Sequence, residues 1–592
     1  MKENTLNRML RYIFKKQRGK LIIVLISVLI SSLAALAAPL VLAAAIDHIA
    51  EGIQQVVAEG SAFQVNLQTM GSFIGTLFVL YFVHFGLKYL EQYEMSSISE
   101  TICLHMRKDL SGKMSRMPLR FYDGTEKGEL LSRATNDIEK VGEVLREGLG
   151  QFLTAFLTMM GAVVMMLRIS PLFTLFSLLT IGTSTAITAW ISKRSRRNFA
   201  DNQEALGHVN ANIEEAFSGQ LVIKAFSHEK TAIAEFDRLN EKMCSASYKM
   251  QVSMFIVSPS VRFVNSIGYT IIAILSAFAI LEGRLTIGTV QAFIQYLDKA
   301  GEPLIECAHI WNLMQSALAS GERFFEIMDM EEEVMDREPC KQIEERKGAV
   351  TFDHVRFGYS DNKILMEDIN IHLHAGAKVA IVGPTGAGKT TLVNLLMRFY
   401  EIQGGSIKID GVDIKSMRRS DIRKMFGMVL QDAWLFGGTI RENIAYSRMD
   451  ASEEQILAAA KAARVDHFIR TLPKGYDTIV EEEGTNLSQG QRQLLTIARV
   501  ILADPSLLIL DEATSSVDTR TELEIQKAMD ALMRGRTSFI IAHRLSTIRD
   551  ADLILVMKQG AIIEQGIHEE LLAEKGFYAE LYHSQFHQNV DF

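Results

Sequence analysis

The chain has 592 residues, of which 48% are hydrophobic and 22% charged, and its net charge is −8. The length predicts two or more domains, and the composition is too apolar for a typical soluble enzyme but too charged for a purely membrane-embedded protein. The acidic balance argues against nucleic-acid binding, and the 4 scattered cysteines argue against a disulfide framework or a zinc site.

The N-terminal half contains six apolar runs. The first, residues 21–46, carries no charge, and at about 1.5 Å per residue it would reach roughly 39 Å, which is enough to cross a bilayer. Its Pro39 is tolerable in a membrane helix. We predict six spanning helices, the last continuing as a helix to about residue 319; the other five runs lie near residues 67–87, 148–167, 169–192, 263–281 and 285–297.

The charges that flank the first run predict the orientation of the chain. Basic residues precede it, namely Arg8, Arg11, Lys15, Lys16, Arg18 and Lys20. Acidic residues follow it, namely Asp47, Glu51 and Glu59. By the positive-inside rule the N-terminus is cytoplasmic, and six spans return the chain to the cytoplasm. We therefore predict a multi-pass protein of the cytoplasmic membrane with a cytoplasmic C-terminal half.

Two inner connections, residues 88–147 and 193–249, are long, charged and helical in pattern. We interpret them as spans that continue into the cytoplasm and turn back. An ordinary solvated helical hairpin is the alternative interpretation.

Four ionisable residues on the last predicted span lie within about 80° of one another on a helix. They are Asp298, Glu302, Glu306 and His309, and Arg262 on the preceding span lies at a similar depth. Because ionisable groups are costly in lipid, they should face a cavity or each other. An acidic cavity wall that favours cationic amphiphiles is one interpretation. The other is a helix that already projects into the cytoplasm, with Arg262 paired to a glutamate.

From about residue 349, short β-rich runs alternate with helical patterns, which is typical of a parallel α/β layer. The segment GPTGAGKT fits a phosphate-binding loop, whose small residues let backbone N–H groups point at an anion. Lys389 would reach the β- and γ-phosphates, and the hydroxyl of Thr390 would bind Mg²⁺. The predicted nucleotide-binding residues here are Gly383, Pro384, Thr385, Gly386, Ala387, Gly388, Lys389, Thr390 and Thr391.

Five further residues complete the predicted ATP site. The apolar strand LLILDE ends in Asp511, which would hold Mg²⁺, and Glu512, which would act as general base. Gln431 could reach both the metal and the attacking water, and His543 could hydrogen-bond the γ-phosphate. Tyr359 offers an aromatic face to adenine. Each residue alone is weak evidence, but their order along the chain makes coincidence negligible.

The segment LSQGQ opens a helix with Ser488, Gly490 and Gln491, which presents a hydroxyl, N–H groups and the positive end of a dipole to an anion. The chain already has a phosphate loop for its own nucleotide. A second helix end directed at an anion therefore predicts a nucleotide on another copy of the domain, and hence a dimer that sandwiches ATP.

With these motifs, the chain resembles the half-transporters of the ATP-binding cassette exporters, multidrug type, over nearly its whole length. The resemblance rests on Tyr359, GPTGAGKTT, Gln431, LSQGQ, LLILDEATSSVD and His543, and on two loop segments, PLRFYDGTEKGELLSRATND and VIKAFSHE. It implies an all-α six-helix transmembrane domain with long cytoplasmic helical loops, followed by an α/β P-loop ATPase domain. We place these at residues 1–325 and 347–592, with a linker at 326–346.

The resemblance also implies ATP and Mg²⁺ as cofactors, two halves, alternating access and outward transport of apolar or amphipathic small molecules. Short coupling helices in the loops, which we place at Phe121–Gly124 and Glu214–Gly219, would dock onto the ATPase domains. Asp518 would lie near the dimer interface. A lipid flippase or a peptide exporter of the same architecture is the alternative, and an ATP-gated channel or regulatory membrane subunit is an alternative of another class.

Two features depart from the family pattern. The segment before the signature, IVEEEGTN (Ile479–Asn486), differs from the commoner loop, and the signature itself is altered. The signature is usually LSGGQ, and here Gln489 replaces a glycine. In heterodimeric members, one half often keeps every hydrolytic residue but has an altered signature. With Glu512 and His543 present, the chain is similar to the hydrolysis-competent half of such a heterodimer.

Overall fold

The computed structural model describes residues 5–59, 66–336, 338–360, 363–511, 518–542 and 545–586. The chain divides into two compact units. The membrane unit holds Met1–Ser115 and Lys127–Met330, and the ATPase unit holds Arg116–Glu126 and Glu331–Phe592. A short piece of the first long connection is therefore part of the ATPase unit.

Long helices build the membrane unit. In chain order, with the short α3 of the ATPase unit included, the helices are α1 (Thr5–Glu59), α2 (Leu67–Met114), α3 (Leu119–Asp123), α4 (Lys127–Ser132), α5 (Ile138–Glu143), α6 (Leu149–Ile169), α7 (Pro171–Ser218), α8 (Gln220–Ala225), α9 (Glu229–Phe255), α10 (Val257–Leu281) and α11 (Ile287–Asp329). Single π-helical turns at Arg133–Asp137 and Val144–Gly148 join α4, α5 and α6 into one run.

Among the described residues, five helical runs are long and apolar enough to cross a membrane: Thr5–Gln54, Leu67–Met114, Lys127–Ile169, Pro171–Ser218 and Glu229–Leu281. They contain the first five predicted spans. The sixth predicted span falls at the start of α11, which continues to Asp329, ten residues beyond the predicted end. The prediction of a helical membrane half whose helices extend far past the apolar runs is confirmed.

One end of α11 is fixed against α1. The Asp47 carboxylate accepts hydrogen bonds from the Gly288 backbone N–H at 2.7 Å and from the Thr286 hydroxyl at 2.6 Å. A Cβ on Gly288 would lie 2.0 Å from the Ala43 carbonyl oxygen, so only glycine permits this approach. One of the free N–H groups at the start of α11 thus finds an acceptor on α1.

The structure does not form a separate short helix at the predicted second coupling segment, Glu214–Gly219. Residues Glu214–Ser218 are the last turn of α7, because this segment has no helix breaker before Gly219. Gly219 ends the helix, and the short helix that follows is α8, none of whose residues is buried. In the first connection, α3 overlaps the predicted Phe121–Gly124.

The described strands of the ATPase unit form three sheets. Their strands are β1 (Val350–Phe357), β2 (Met366–Leu373), β3 (Lys378–Val382), β4 (Gly404–Ile409), β5 (Val412–Asp413), β6 (Phe426–Val429), β7 (Gly438–Thr439), β8 (Ile479–Val480), β9 (Leu507–Asp511), β10 (Thr537–Ile541), β11 (Leu553–Lys558) and β12 (Ala561–Gly566). The six-stranded sheet has the order β12-β11-β3-β10-β9-β6, and only the β11–β12 pair in it is antiparallel. The predicted parallel layer is therefore present. An antiparallel sheet of order β2-β1-β4-β5 accompanies it and was not predicted.

Helices cover the parallel sheet and bury its apolar strands. They are α12 (Lys389–Leu396), α13 (Arg419–Arg423), α14 (Ile440–Ala445), α15 (Glu453–Ala462), α16 (Asp466–Thr471), α17 (Gln489–Ala503), α18 (Thr519–Met533), α19 (Leu545–Arg549), α20 (His568–Ala573) and α21 (Phe577–Phe586). One apolar cluster joins α14, α15, α17 and α18 to the strands, and a second joins α12 to the antiparallel sheet.

Candidate functional site

The predicted ATP-site residues follow the carboxyl ends of neighbouring parallel strands. β3 leads into the phosphate loop, β9 ends at Asp511, and β6 ends two residues before Gln431. Ile541, at the end of β10, is paired with Asp511 on one side and with Ile381 on the other. Since adjacent strands are about 4.8 Å apart, these ends form one continuous edge. Ligands of open α/β sheets bind at this edge.

The phosphate loop is held in a conformation that depends on glycine. A Cβ on Gly383 would lie 2.3 Å from the Met557 carbonyl oxygen. Gly388, with φ of 104°, lies in the left-handed region and directly precedes α12. Pro384, Thr385 and Gly386 are exposed on the loop, whereas Ala387 is buried beneath it. The loop thus passes directly into the positive end of a helix, which favours bound anions.

Lys389 carries the positive charge of the loop. Its ammonium donates to the carbonyl oxygens of Gly383 at 2.7 Å and Pro384 at 3.1 Å. Burial lowers the pKa of Lys389, and the negative charge of Asp511 opposes this shift. The side chain therefore lies over the loop and within electrostatic reach of the end of β9.

The groups predicted to bind Mg²⁺ offer only oxygen donors. Thr390 and Gln431 are exposed, and Asp511 is partly buried at the end of β9. Hydroxyl, amide and carboxylate oxygens suit this hard cation, which keeps several waters and binds phosphate oxygens as well. The donor set is thus compatible with a magnesium–nucleotide complex.

Tyr359 is 43% exposed and packs edge-on against two other rings. The ring centroids of Phe357 and Tyr400 each lie 5.1 Å from that of Tyr359. Its hydroxyl is 2.8 Å from the hydroxyl of Thr391, which is buried on α12. The predicted adenine platform is thus tied to the helix that begins at the phosphate loop.

The LSQGQ segment forms the start of α17 as predicted. Ser488 is its exposed N-cap, accepting from the Gln491 N–H at 3.3 Å, while the Gln491 side chain accepts from the Ser488 N–H at 2.9 Å. Gln489 is the first helical residue, and Gly490 is buried. This capping box orients the serine hydroxyl at the helix end.

Glu512 and His543 lie outside the described residues. Asp511, which directly precedes Glu512, ends β9, and Ala542, which directly precedes His543, follows the last residue of β10. Asp518 caps α18 by accepting from the Thr521 N–H at 3.0 Å.

In the membrane unit, Asp298 lines a cavity of about 420 Å³ between α7, α10 and α11. The Tyr269 hydroxyl donates to its carboxylate. Hydroxyl and amide side chains share the wall with aliphatic ones, including Thr180, Ser184, Thr185, Thr188, Ser192 and Asn265. Arg262 is exposed and is not one of the residues described as lining this cavity. The side chains of Glu302, Glu306 and His309 lie outside the described part.

Sequence reasoning missed two groups in the ATPase unit. Tyr400 joins Tyr359 to Asp123 of α3. Arg398 and Arg419, whose side chains are 5% and 8% exposed, bind acidic residues of the linker. Apart from the alternation of arginine with acidic residues, no local sequence signal marks either group.

Two known families match the chain, one in its N-terminal half and one in its C-terminal half. Residues 21–298 match the ABC transporter transmembrane region, and residues 366–515 match the ABC transporter family.

Two curated proteins and one solved structure cover most of the chain. A fatty acid ABC transporter ATP-binding/permease protein of Mycobacterium tuberculosis is 48% identical over 81% of this chain and 75% of its own length. The ABC transporter ATP-binding protein YfiC of Bacillus subtilis is 42% identical over 99% of this chain and 94% of its own. The structure of a bacterial Atm1-family ABC exporter with ATP bound has a TM-score of 0.73 and 29% identity, covering 97% of this chain and 99% of that one. The chain belongs to the ABC transporter family, as an exporter-type half-transporter in which ATP hydrolysis is coupled to transport across a membrane.

Proposed function

We propose that the chain exports amphipathic small molecules from the cytoplasm across the cytoplasmic membrane, with a preference for cations. The observation that carries this proposal is the cavity beside Asp298. Aliphatic walls suit the apolar part of such a molecule, and the hydroxyl groups suit its polar part.

The depth of the cavity supports a transport role. Its α7 residues run from Thr180 to Ser192. At about 1.5 Å per residue from Pro171, they lie roughly 14 to 32 Å along the helix, which spans the middle and the inner part of a bilayer. A carboxylate at this depth is costly unless it serves a polar pathway.

The charge of the cavity favours one substrate class. A cation near Asp298 would be attracted, whereas a carboxylate 4 Å away would be repelled by about 4 kcal/mol at an effective dielectric of 20. The fatty-acid relative raises the competing possibility of an anionic amphiphile. Neutralising Asp298 distinguishes these two substrate classes, because it should weaken the binding of a cation and strengthen the binding of an anion.

Asp298→Asn is therefore expected to reduce the apparent affinity for a cationic dye about tenfold or more while leaving a neutral dye unaffected. The measurement is ATPase stimulation and dye uptake in proteoliposomes, with ethidium, a neutral fluorophore of similar size and decanoate as probes. Glu282→Gln is the matched control, since it removes an exposed carboxylate that pairs with Arg284 at the end of α10.

Each outcome of that experiment has a defined meaning. Stronger stimulation by decanoate than by ethidium, increased further in Asp298→Asn, would replace cation export by fatty-acid transport. An identical response of parent and variant to every probe would remove the cavity from the substrate pathway.

At the nucleotide site, we propose a specific role for each predicted ATP-site residue. The loop N–H groups and Lys389 hold the phosphates, and Tyr359 stacks on adenine. Mg²⁺ held by Thr390, Gln431 and Asp511 would supply charge neutralisation of the phosphates. Glu512 takes the proton of the attacking water, and His543 hydrogen-bonds the γ-phosphate.

We further propose that the functional unit is a heterodimer. The nucleotide of the partner half would be contacted by Ser488, Gly490 and Gln491. The altered signature, in which Gln489 is the first helical residue, supports a partner that is a different protein. The chain purified alone should then have low ATPase activity, which Gln489→Gly does not restore to the level of a complete exporter. A stable, fully active homodimer by light scattering and phosphate release would instead establish self-association.

A further inference from the structure

Tyr400 lies between the predicted adenine platform and the first long connection. Its ring meets that of Tyr359 at 88°, with centroids 5.1 Å apart, and that of Phe357 at 62° and 5.8 Å. Edge-to-face contacts of this kind fix the orientation of an aromatic ring. A change in the position of Tyr359 must therefore be accommodated by Tyr400.

The other end of Tyr400 binds α3. Its hydroxyl donates to the carboxylate of Asp123, the last residue of that helix. Burial and the hydrogen bond to this carboxylate raise the pKa of Tyr400, so the phenol stays protonated as the donor. On either side of α3 the chain leads into α2 and α4, whose helical runs contain the second and third predicted spans.

A second contact ties Tyr359 to α12, the helix that follows the phosphate loop. Its hydroxyl is 2.8 Å from that of Thr391, on the helix that begins at the phosphate loop. Tyr359 thus contacts the loop helix with its hydroxyl and Tyr400 with its ring. A nucleotide stacked on Tyr359 would therefore contact one ring of the Tyr359–Tyr400 pair, and the other ring, Tyr400, is bound to α3.

We propose that Tyr400 is a positioning residue with two separable roles. Its ring holds Tyr359 in place for adenine stacking, and its hydroxyl transmits the occupancy of the nucleotide site to α3 through Asp123. This inference rests on the proposed stacking role of Tyr359, but it is independent of which molecule is exported.

Three variants separate the two roles in the full-length protein in lipid nanodiscs. Asp123→Asn and Tyr400→Phe weaken or remove the link to α3 while keeping the ring. Tyr400→Leu removes the ring. The readouts are the KM for ATP and the ATP-induced fluorescence change of a bimane label on Glu126→Cys, an exposed position just after α3. The exposed Cys244 is replaced by Ser in this background.

Tyr400→Phe removes the donor and should reduce the ATP-induced signal to a small fraction of that of the parent. Asp123→Asn keeps only a weaker, neutral acceptor and should reduce the signal in part. The double variant should lose little more than Tyr400→Phe alone, because both changes act on the same contact. Tyr400→Leu should raise the KM for ATP about fivefold or more through weaker base stacking. Asp123→Asn should keep the parent KM.

A full signal in both Asp123→Asn and Tyr400→Phe would overturn the proposal, as would losses that add in the double variant. An unchanged KM in Tyr400→Leu would remove the stacking role. If no dye stimulates the parent, cation export fails, but the label still reports ATP binding and the test of Tyr400 stands.

Discussion

Replacing Glu512 by Gln is expected to stop ATP turnover while leaving ATP binding intact. The amide keeps the shape of the carboxylate but cannot take a proton from the attacking water. General bases typically contribute about 10² to 10⁴-fold to a rate, so kcat should fall by at least that range. Glu512 directly follows Asp511, which lies within electrostatic reach of Lys389. Single-turnover phosphate release and retention of radiolabelled ATP measure the two properties separately.

Two comparisons make this result specific. Lys389→Ala should lose ATP retention itself, because it removes the only ammonium that donates to the described phosphate loop. Asp530→Asn, at an exposed position on α18, should behave like the parent. Normal hydrolysis by Glu512→Gln would show that another group activates the water.

The phosphate loop was predictable because its chemistry is local. Gly383 and Gly388 are required by backbone positions that the motif itself specifies, and Ser488 followed three residues later by Gln491 is a capping pattern that sequence reveals directly. The burial of β3, β9 and β10 on both faces appears in the sequence as continuous apolar runs. Such features need no knowledge of distant residues.

Other parts of the molecule depend on contacts between distant segments. Tyr400 and Asp123 are 277 residues apart, and nothing near either predicts their hydrogen bond. The position of α8 was missed for a different reason. Glu214–Ser218 and Gln220–Ala225 are both compatible with a helix, and only the end of α7 at Gly219 assigns them to separate helices.

The linker illustrates the same limit for charge. Nothing in the sequence around Glu333 and Asp336 indicates a buried partner, yet both bind Arg419 in the ATPase unit. Arg419 is buried because of the position of α13, which residues near the linker do not specify.

Arg419→Met should strongly destabilise the ATPase unit and release the linker. The guanidinium is 2.7 Å from Asp336, 2.5 Å from Glu401 and 3.2 Å from Glu333. Removing one member of a buried ion cluster costs about 3 to 5 kcal/mol, because the remaining charges lose compensation. For a domain of this size, that cost lowers the Tm by roughly 6 to 20 °C. Thermal inactivation of ATPase activity and limited proteolysis at residues 331–336 measure both effects.

Arg418→Met is the matched control because it removes the neighbouring arginine from an exposed pair. The Arg418 side chain is 53% exposed and lies 3.1 Å from Glu338. Exposed ion pairs contribute little to stability because water and salt screen them, so this variant should shift the Tm far less than Arg419→Met does. Equal shifts for the two variants would mean that water screens Arg419 as well. A large shift without new cleavage at residues 331–336 would mean that Arg398, which also binds Asp336 and Glu401, holds the linker by itself.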